Sequence, residues 1–285
     1  MTKALPFLVV LGIVLLLWYT AALVMDTRQL AVMGTAQGGD TAHWLTALWA
    51  MDRPVLPMPD RIMANLAQSI FGNPLSSPRN FLLQTFSTAE TATLGLLLGL
   101  VFGLALAISI VHVSLLERTL MPWIIASQTI PILAIAPMVV VALGNIGITG
   151  LVPKAAIVGY LCFFPVTIGM VKGLRSPDAM QQDLMRIYDA NRRQIFGKLL
   201  WPVALPQIFP SLKVAVALAV TGAIVAELPT GAQSGLGARL LAGSYYGQTL
   251  MMWDALFMAA LLAMILIGLV RVGELMLQAH RGGRL

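Results

Sequence analysis

The chain has 285 residues, of which 58% are hydrophobic and only 11% charged, and its 18 Lys+Arg against 12 Asp+Glu leave a formal net charge of +6. A soluble domain carries about a quarter charged residues, so this composition, with a mean hydropathy of +0.85, excludes a soluble globular protein and requires a bilayer. The positive balance does not mark a nucleic-acid partner, because the basic residues sit between apolar runs, as the positive-inside rule produces.

Along the chain, Lys3 followed by an apolar run resembles a signal peptide, but no small-x-small cleavage site follows cleanly. The run continues through Val24, long enough to span, so residues 1–25 are read as a retained first transmembrane helix, about Pro6–Met25. Residues 26–84 then form a periplasmic segment with short amphipathic helices. Asp40–Ala50 reads as one, with Trp44, Leu45, Leu48 and Trp49 on one side. Asp60–Phe71, after Pro57-Met58-Pro59, reads as a second, with Ile62, Met63, Leu66, Ile70 and Phe71 recurring at helical spacing. Both are expected to rest on the outer leaflet or on the spans, with docking of a periplasmic partner as the functional alternative.

Five further spans bring the total to six: about Thr85–Val111, Leu120–Leu143, Ala155–Val171, Pro210–Leu228 and Trp253–Leu277. The fold class is therefore an all-α integral membrane protein. Thr85, Ser87, Thr88, Thr91 and Thr93 cluster with Glu90 at the start of the second span, and Ser127, Gln128 and Thr129 lie inside the third, just before Ile130-Pro131. Intramembrane polar residues face a bundle interior or a water-filled cavity. For the threonines, hydrogen bonds between helices are the simpler account. Pro131 and Pro137 interrupt the third span, and a proline frees a carbonyl that must find a partner or water. The candidate path residues are thus Thr88, Ser127, Gln128, Thr129, Pro131 and Thr221. Glu227, two residues before Pro229, is expected to be wet at the outer end of its span, and Lys213 and Arg271 are expected to snorkel.

No chemistry of its own is evident. His43, His112 and His280 are far apart, there is no zinc pair and no Gly-rich phosphate loop, and the lone Cys162 reads as a buried small hydrophobe. No cofactor is expected on this chain; if ATP drives it, another subunit binds the nucleotide.

Asp183–Pro206 is a polar island between two apolar runs, with Arg186, Arg192, Arg193 and Lys198 on it and Leu184, Ile187, Tyr188, Ile195 and Leu199 at about helical spacing. Ser176-Pro177-Asp178 supplies a helix start, with Ser176 as cap, and Asp189 is in range of Arg186, Arg192 or Arg193. An amphipathic helix drawn to anionic lipid would explain the arginines, but not the Pro-ended continuation Leu199-Leu200-Trp201-Pro202 into a span. The density of Lys3, Arg118, Lys172, Arg175, Arg186, Arg192, Arg193, Lys198, Arg281 and Arg284 places this island and both termini in the cytosol.

At these residues the chain resembles type I ABC importer permeases, whose cytoplasmic loop carries an E-A-A…G…I-x-L-P pattern. Asp183-Leu184-Met185 falls on E-A-A, Asp189 on the Gly, and Gln194-Ile195-Phe196 through Pro202 and Ala204-Leu205-Pro206 on the downstream part. Within that family it is similar to the nitrate/sulfonate/taurine branch, through Leu56-Pro57-Met58-Pro59, Ile130-Pro131 with Ala136-Pro137, and Gly235-Leu236-Gly237, over about residues 54–280. Asp189 departs from the pattern. Asp and Asn are among the residues that tolerate the left-handed conformation, so a turn within Asp189-Ala190-Asn191 is expected.

The resemblance implies a core permease domain over 85–280 in the bacterial inner membrane, with a cytoplasmic coupling loop at about 174–206. It implies docking of an ABC ATPase dimer, which binds ATP and Mg, on Asp183, Leu184, Arg186, Tyr188, Asp189, Arg192, Arg193, Ile195 and Phe196. It also implies a second permease copy or homologous permease, a periplasmic substrate-binding protein, surrounding membrane lipid, and a nitrate, sulfonate, taurine or small heteroaromatic solute. The rival is an ion-gradient-driven secondary carrier, which would place ionisable residues at the midplane and often repeats its fold. A membrane-embedded enzyme is weaker, for want of paired ligands or a nucleophile with its base.

The orientation is testable by labelling. Single cysteines at Asp40 and Gly231 in a Cys162→Ser background should react with an impermeant thiol reagent from outside. Those at Gln181 and Gly283 should react only after the membrane is opened, and labelling of Gln181 from outside would invert the topology.

Overall fold

The computed structural model describes residues 4–32, 49, 51, 53–228 and 234–280, and among them every regular element is helical. The helix expected over Asp40–Ala50 lies, Trp49 apart, outside the described residues. Among these described residues five helices are long and apolar enough to cross a membrane, or six if one bent pair is counted as a single span. The chain divides into two compact units.

The first unit comprises residues up to Gln84 together with Arg239–Met258. Its first helix, α1 (Ala4–Val32), runs seven residues beyond the expected end at Met25. Asp26 looks like a terminator in sequence, but its side chain is buried and accepts the backbone N–H groups of Val55 (2.9 Å) and Leu56 (3.4 Å). A carboxylate satisfied in this way does not have to leave the helix for water. The Leu56-Pro57-Met58-Pro59 element is held at several points. Trp18 Nε1 donates to the Pro57 carbonyl at 3.1 Å, Met58 caps α2 (Pro59–Phe71), and Pro59 occupies the first turn, where its missing N–H costs nothing. Tyr19 donates to Asp60 at 3.1 Å, Ile62 and Leu66 are buried, and Trp18 stacks near Trp253 (4.8 Å) and Phe257 (6.4 Å).

The second unit comprises Thr85–Ala238 and the chain from Ala259 onward. Its helices are most of α3 (Phe81–His112), α4 (Ser114–Ser127), α5 (Ile132–Asn145), α6 (Leu151–Leu174), α7 (Ala179–Ile187), α8 (Arg192–Ile195), α9 (Trp201–Glu227), the start of α10 (Leu236–Tyr246) and the later part of α11 (Thr249–His280). At its centre is α6, with Ile157, Val158, Cys162, Val166 and Met170 all buried.

Close approach is bought with glycine. Gly95, Gly99 and Gly103 stand four residues apart, hence on one face of α3. A Cβ at Gly99 would lie 2.6 Å from the Cβ of Cys162, and one at Gly103 would lie 2.8 Å from the Phe163 carbonyl oxygen. On the α9 side a Cβ at Gly222 would lie 2.7 Å from Leu161 Cδ1. The Thr167 hydroxyl, buried in α6, lies 2.7 Å from the Phe163 carbonyl and 3.2 Å from that of Gly103 on α3.

One sequence expectation gains a partner here and another is corrected. Lys213, expected to snorkel, pairs with Glu274 on α11 at 2.5 Å, both side chains half-buried. The fifth span begins well before Pro210: α9 starts at Trp201, and Pro202, Pro206 and Pro210 are all absorbed in helical backbone.

Replacing Gly99 with Leu should force α3 off α6. Overpacking of this kind costs about 1–3 kcal/mol or more, read as a lower melting temperature of the detergent-solubilised protein, whereas Gly144→Leu, where a Cβ would meet nothing within 4 Å, should melt as the parent does.

Candidate coupling surface and transmembrane path

The basic loop is built from short, well-capped pieces. At the end of α6, Ser176 Oγ donates to the Gly173 carbonyl at 2.8 Å, and Arg175 grips both oxygens of Glu117 at 2.5 and 2.6 Å. The cap of α7 is therefore Asp178, not Ser176: a residue before proline is pushed toward extended backbone, and Ser176 is occupied in ending the previous helix. Gln181 closes the start of α7 by accepting the Asp178 N–H at 3.3 Å.

The exit from α7 falls on the residue that replaces the glycine of the pattern. Asp189 has φ 48°. Around it the Asp189 N–H donates to the Arg186 carbonyl (2.9 Å) and the Ala190 N–H to that of Met185 (3.0 Å). These are the paired bonds of a Schellman ending, with Asp189 at its left-handed position. Asn191 then caps α8, its Oδ1 accepting from Gln194 N–H (2.9 Å) while Gln194 Oε1 accepts from Asn191 N–H (2.8 Å). The expected turn within Asp189-Ala190-Asn191 is present. The pairing of Asp189 with an arginine is not the one formed: Arg186 pairs with Asp183, at 3.1 Å.

What this scaffold presents is apolar. Met180, Leu184, Ile187 and Tyr188 are 84%, 53%, 79% and 77% exposed, and their spacing puts them on one side of α7. Around them Asp183, Arg186, Asp189, Arg192 and Arg193 are also exposed. Ile195 and Phe196 differ: both are half-buried, and Phe196 lies between His112 (5.2 Å) and Trp201 (5.9 Å). They root the loop rather than extend its exposed face. Met180 was missed, although it stands four residues before Leu184 and the same periodicity reaches it. A π-helical turn, Phe196–Leu200, joins α8 to α9, so Arg192–Glu227 is one helix of 36 residues.

The third expected span is two helices, α4 and α5, bent by 101° at a break holding Gln128, Thr129, Ile130 and Pro131. The carbonyl four residues before Pro131 belongs to Ser127, and the Tyr160 hydroxyl of α6 donates to it. Ser127 Oγ donates to the Ile124 carbonyl (2.7 Å) and Thr129 Oγ1 to that of Ala126 (2.8 Å); Gln128, Thr129 and Pro131 are exposed. Beside the break, Tyr160 also lines a cavity of about 440 Å3 with Leu98, Phe102, Ala156, Gly159 and Phe163. Thr221 is exposed and bonds its own helix at the Ala217 carbonyl, 3.0 Å away.

Thr88 belongs elsewhere. It is fully buried, and its hydroxyl lies 2.9 and 3.1 Å from the two oxygens of Glu227. Glu227, expected to be wet, is fully buried too. It also accepts the Gly237 N–H at 2.8 Å, while the Leu236 N–H donates to Thr88 Oγ1 at 2.8 Å. Gly235, at φ 113°, has no room for a side chain against this carboxylate. The sequence signal was Gly235-Leu236-Gly237 itself, a backbone that must approach something closely.

Comparison with known proteins places these features in a family context. The family profile described as "Binding-protein-dependent transport system inner membrane component" matches residues 95–274. The chain is 34% identical over 190 residues to the formylaminopyrimidine transport permease protein ThiX of Halalkalibacterium halodurans, covering 62% of this chain and 74% of that one. Identity to the riboflavin transport system permease protein RibX of Chloroflexus aurantiacus is 33%, over 58% of this chain and 60% of that one. For the putative aliphatic sulfonates transport permease protein SsuC of Bacillus subtilis it is 27%, over 80% and 78%. In fold, the chain is similar to a chain of the inward-facing MetNI methionine ABC transporter, with a TM-score of 0.57 at 20% identity, over 72% of this chain and 98% of that one.

The turn at Asp189 can be tested directly. Asp189→Gly should be neutral or slightly stabilising, while Asp189→Val should cost about 1–2 kcal/mol, the penalty of the left-handed conformation for an ordinary side chain, read as faster proteolytic nicking of the loop in the Val variant alone.

Proposed function

Because the chain belongs to the binding-protein-dependent transport system inner membrane component family, we propose how its parts divide the work of an ABC importer permease. It is a multi-pass inner membrane subunit of such an importer, and an ion-gradient carrier finds no support in its relatives. The observation that carries the division of work is the exposed row Met180, Leu184, Ile187 and Tyr188 on the basic loop. Apolar side chains of that size, exposed among arginines, suit a groove in a protein rather than water.

In this reading the α7–α8 loop, Asp183–Phe196, docks on the ATPase dimer, which alone binds ATP and Mg. Asp183, Leu184, Arg186, Tyr188, Asp189, Arg192 and Arg193 form the contact, and Ile195 and Phe196 fix its base. Both termini are cytosolic, the permease works with a second copy or a homologous permease, and a periplasmic binding protein delivers the solute. The path runs along Ser127, Gln128, Thr129 and Pro131, where the exposed Gln128 and Thr129 at a broken helix suit water-filled space, with Thr221 as a further lining residue. Thr88, buried against Glu227, is left out of it.

The solute is of small heteroaromatic class. Supporting this over nitrate, sulfonate or taurine, relatives named for formylaminopyrimidine and riboflavin share 34% and 33% identity, against 27% for the sulfonate relative. The Phe102, Tyr160 and Phe163 rings beside the break also suit a planar ring.

Changing Ile187 and Tyr188 together to Ser should leave the melting temperature of the permease unchanged and weaken capture of the ATPase. Losing about 1.5 kcal/mol or more per apolar side chain predicts at least about a hundredfold weaker binding, with uptake falling in step. Undiminished ATPase capture and uptake would remove the loop from this role.

A further inference from the structure

The Thr88–Glu227 cluster lies at the other end of the helix that leaves the basic loop. Arg192–Glu227 is one helical rod of 36 residues, about 54 Å long at 1.5 Å per residue. Its first residues come from the loop, and its last is Glu227. Leu236 and Gly237 are the first two residues of α10, and N–H groups at such a position have no partner within their own helix. Both find one here: Gly237 N–H donates to Glu227 Oε2 at 2.8 Å and Leu236 N–H to Thr88 Oγ1 at 2.8 Å. Thr88 in turn donates to Glu227. A carboxyl group at the end of one helix thus caps the start of another, and a hydroxyl from α3 sits in the middle of the chain of bonds. The fit is close enough that Gly235 tolerates no Cβ against the carboxylate, and a Cβ at Gly237 would lie 2.8 Å from that of Glu227.

We propose that Thr88 and Glu227 are positioning residues of the transport cycle, locking the first turn of α10 to the end of α9 remote from the basic loop. Movement imposed on the loop is then delivered along the α8–α9 rod to the start of α10 at the opposite membrane face. This rests on the assignment of the loop as the ATPase contact. A buried carboxylate is costly unless its bonds are complete, so the rod cannot shift without either taking α10 with it or breaking the bonds of Glu227.

The test uses the whole transporter, permease with its ATPase, in liposomes. Ser234, exposed and next to Gly235, is changed to Cys in a Cys162→Ser background and labelled with an impermeant maleimide, without nucleotide and after trapping with ATP and vanadate. Trapping should change the labelling rate several-fold. Glu227→Gln or Thr88→Val should abolish that change while ATP hydrolysis continues; Thr88→Ser, which keeps the hydroxyl, should preserve it, and the double variant should behave as either single one does. The proposal is overturned if Glu227→Gln and Thr88→Val respond to trapping as the parent does. It is equally overturned if all three single variants, Thr88→Ser included, lose hydrolysis and thermal stability together, as a purely structural cap would. A parent that hydrolyses ATP with labelling indifferent to nucleotide sinks this inference alone, whereas a parent that captures no ATPase sinks the importer assignment beneath it.

Discussion

The closeness of α3 and α9 to α6 is the constraint from which the second unit follows. Lipid is as apolar as a leucine side chain, so helices in a bilayer gain little by burying leucine, and what holds them is dense contact and shared polar groups. Gly95, Gly99 and Gly103 let α3 meet the backbone of α6, and Thr167 can then reach the Gly103 carbonyl at 3.2 Å. Such contact tolerates no slack. It fixes α6 as the reference against which Tyr160 meets Ser127 and Arg175 meets Glu117.

From this frame the polar features read as a single rule applied at different depths. At several places a backbone group left open by a break, a helix start or a loop is met by a side chain from a neighbouring helix. Ser127 is met by Tyr160, the first N–H groups of α10 by Thr88 and Glu227, and the Val55 and Leu56 N–H groups by Asp26. In the α7–α8 loop the ends are closed by the loop's own residues, Gln181, Asn191 and Gln194. That self-sufficiency gives the loop its turns without caps supplied by the spans.

Much of this was legible in the chain. The membrane class followed from composition, the broken third span from Pro131 among Gln128 and Thr129, and the loop turn from Asp189 standing where a pattern calls for glycine. What escaped was carried by partners distant in sequence. Glu227 was read as wet, and the first span was ended just before Asp26, because a carboxylate near a span end is normally solvated, and nothing local announces that Gly237 or Leu56 will bond it. Lys213 was given to the interface because Glu274 is sixty-one positions away. Ser176 looked like the better cap than Asp178 until the end of α6 claimed it. Pattern reports what a residue prefers when alone, and these four are decided by company.

The π turn at Phe196–Leu200 has a consequence for phase. Each residue of an α-helix advances the chain by about 100°, and a π turn accommodates one residue more than an α turn does. The side of α8 bearing Arg192 and Arg193 is therefore out of step with the faces of α9 by roughly that angle, compared with an unbroken α-helix. A helix carrying such an extra residue holds a dislocation. Its place along the axis fixes the angular offset between the two segments it joins. Between the loop and the long rod beyond it, that offset sets where the arginines stand around the axis relative to the face of α9 that meets α6.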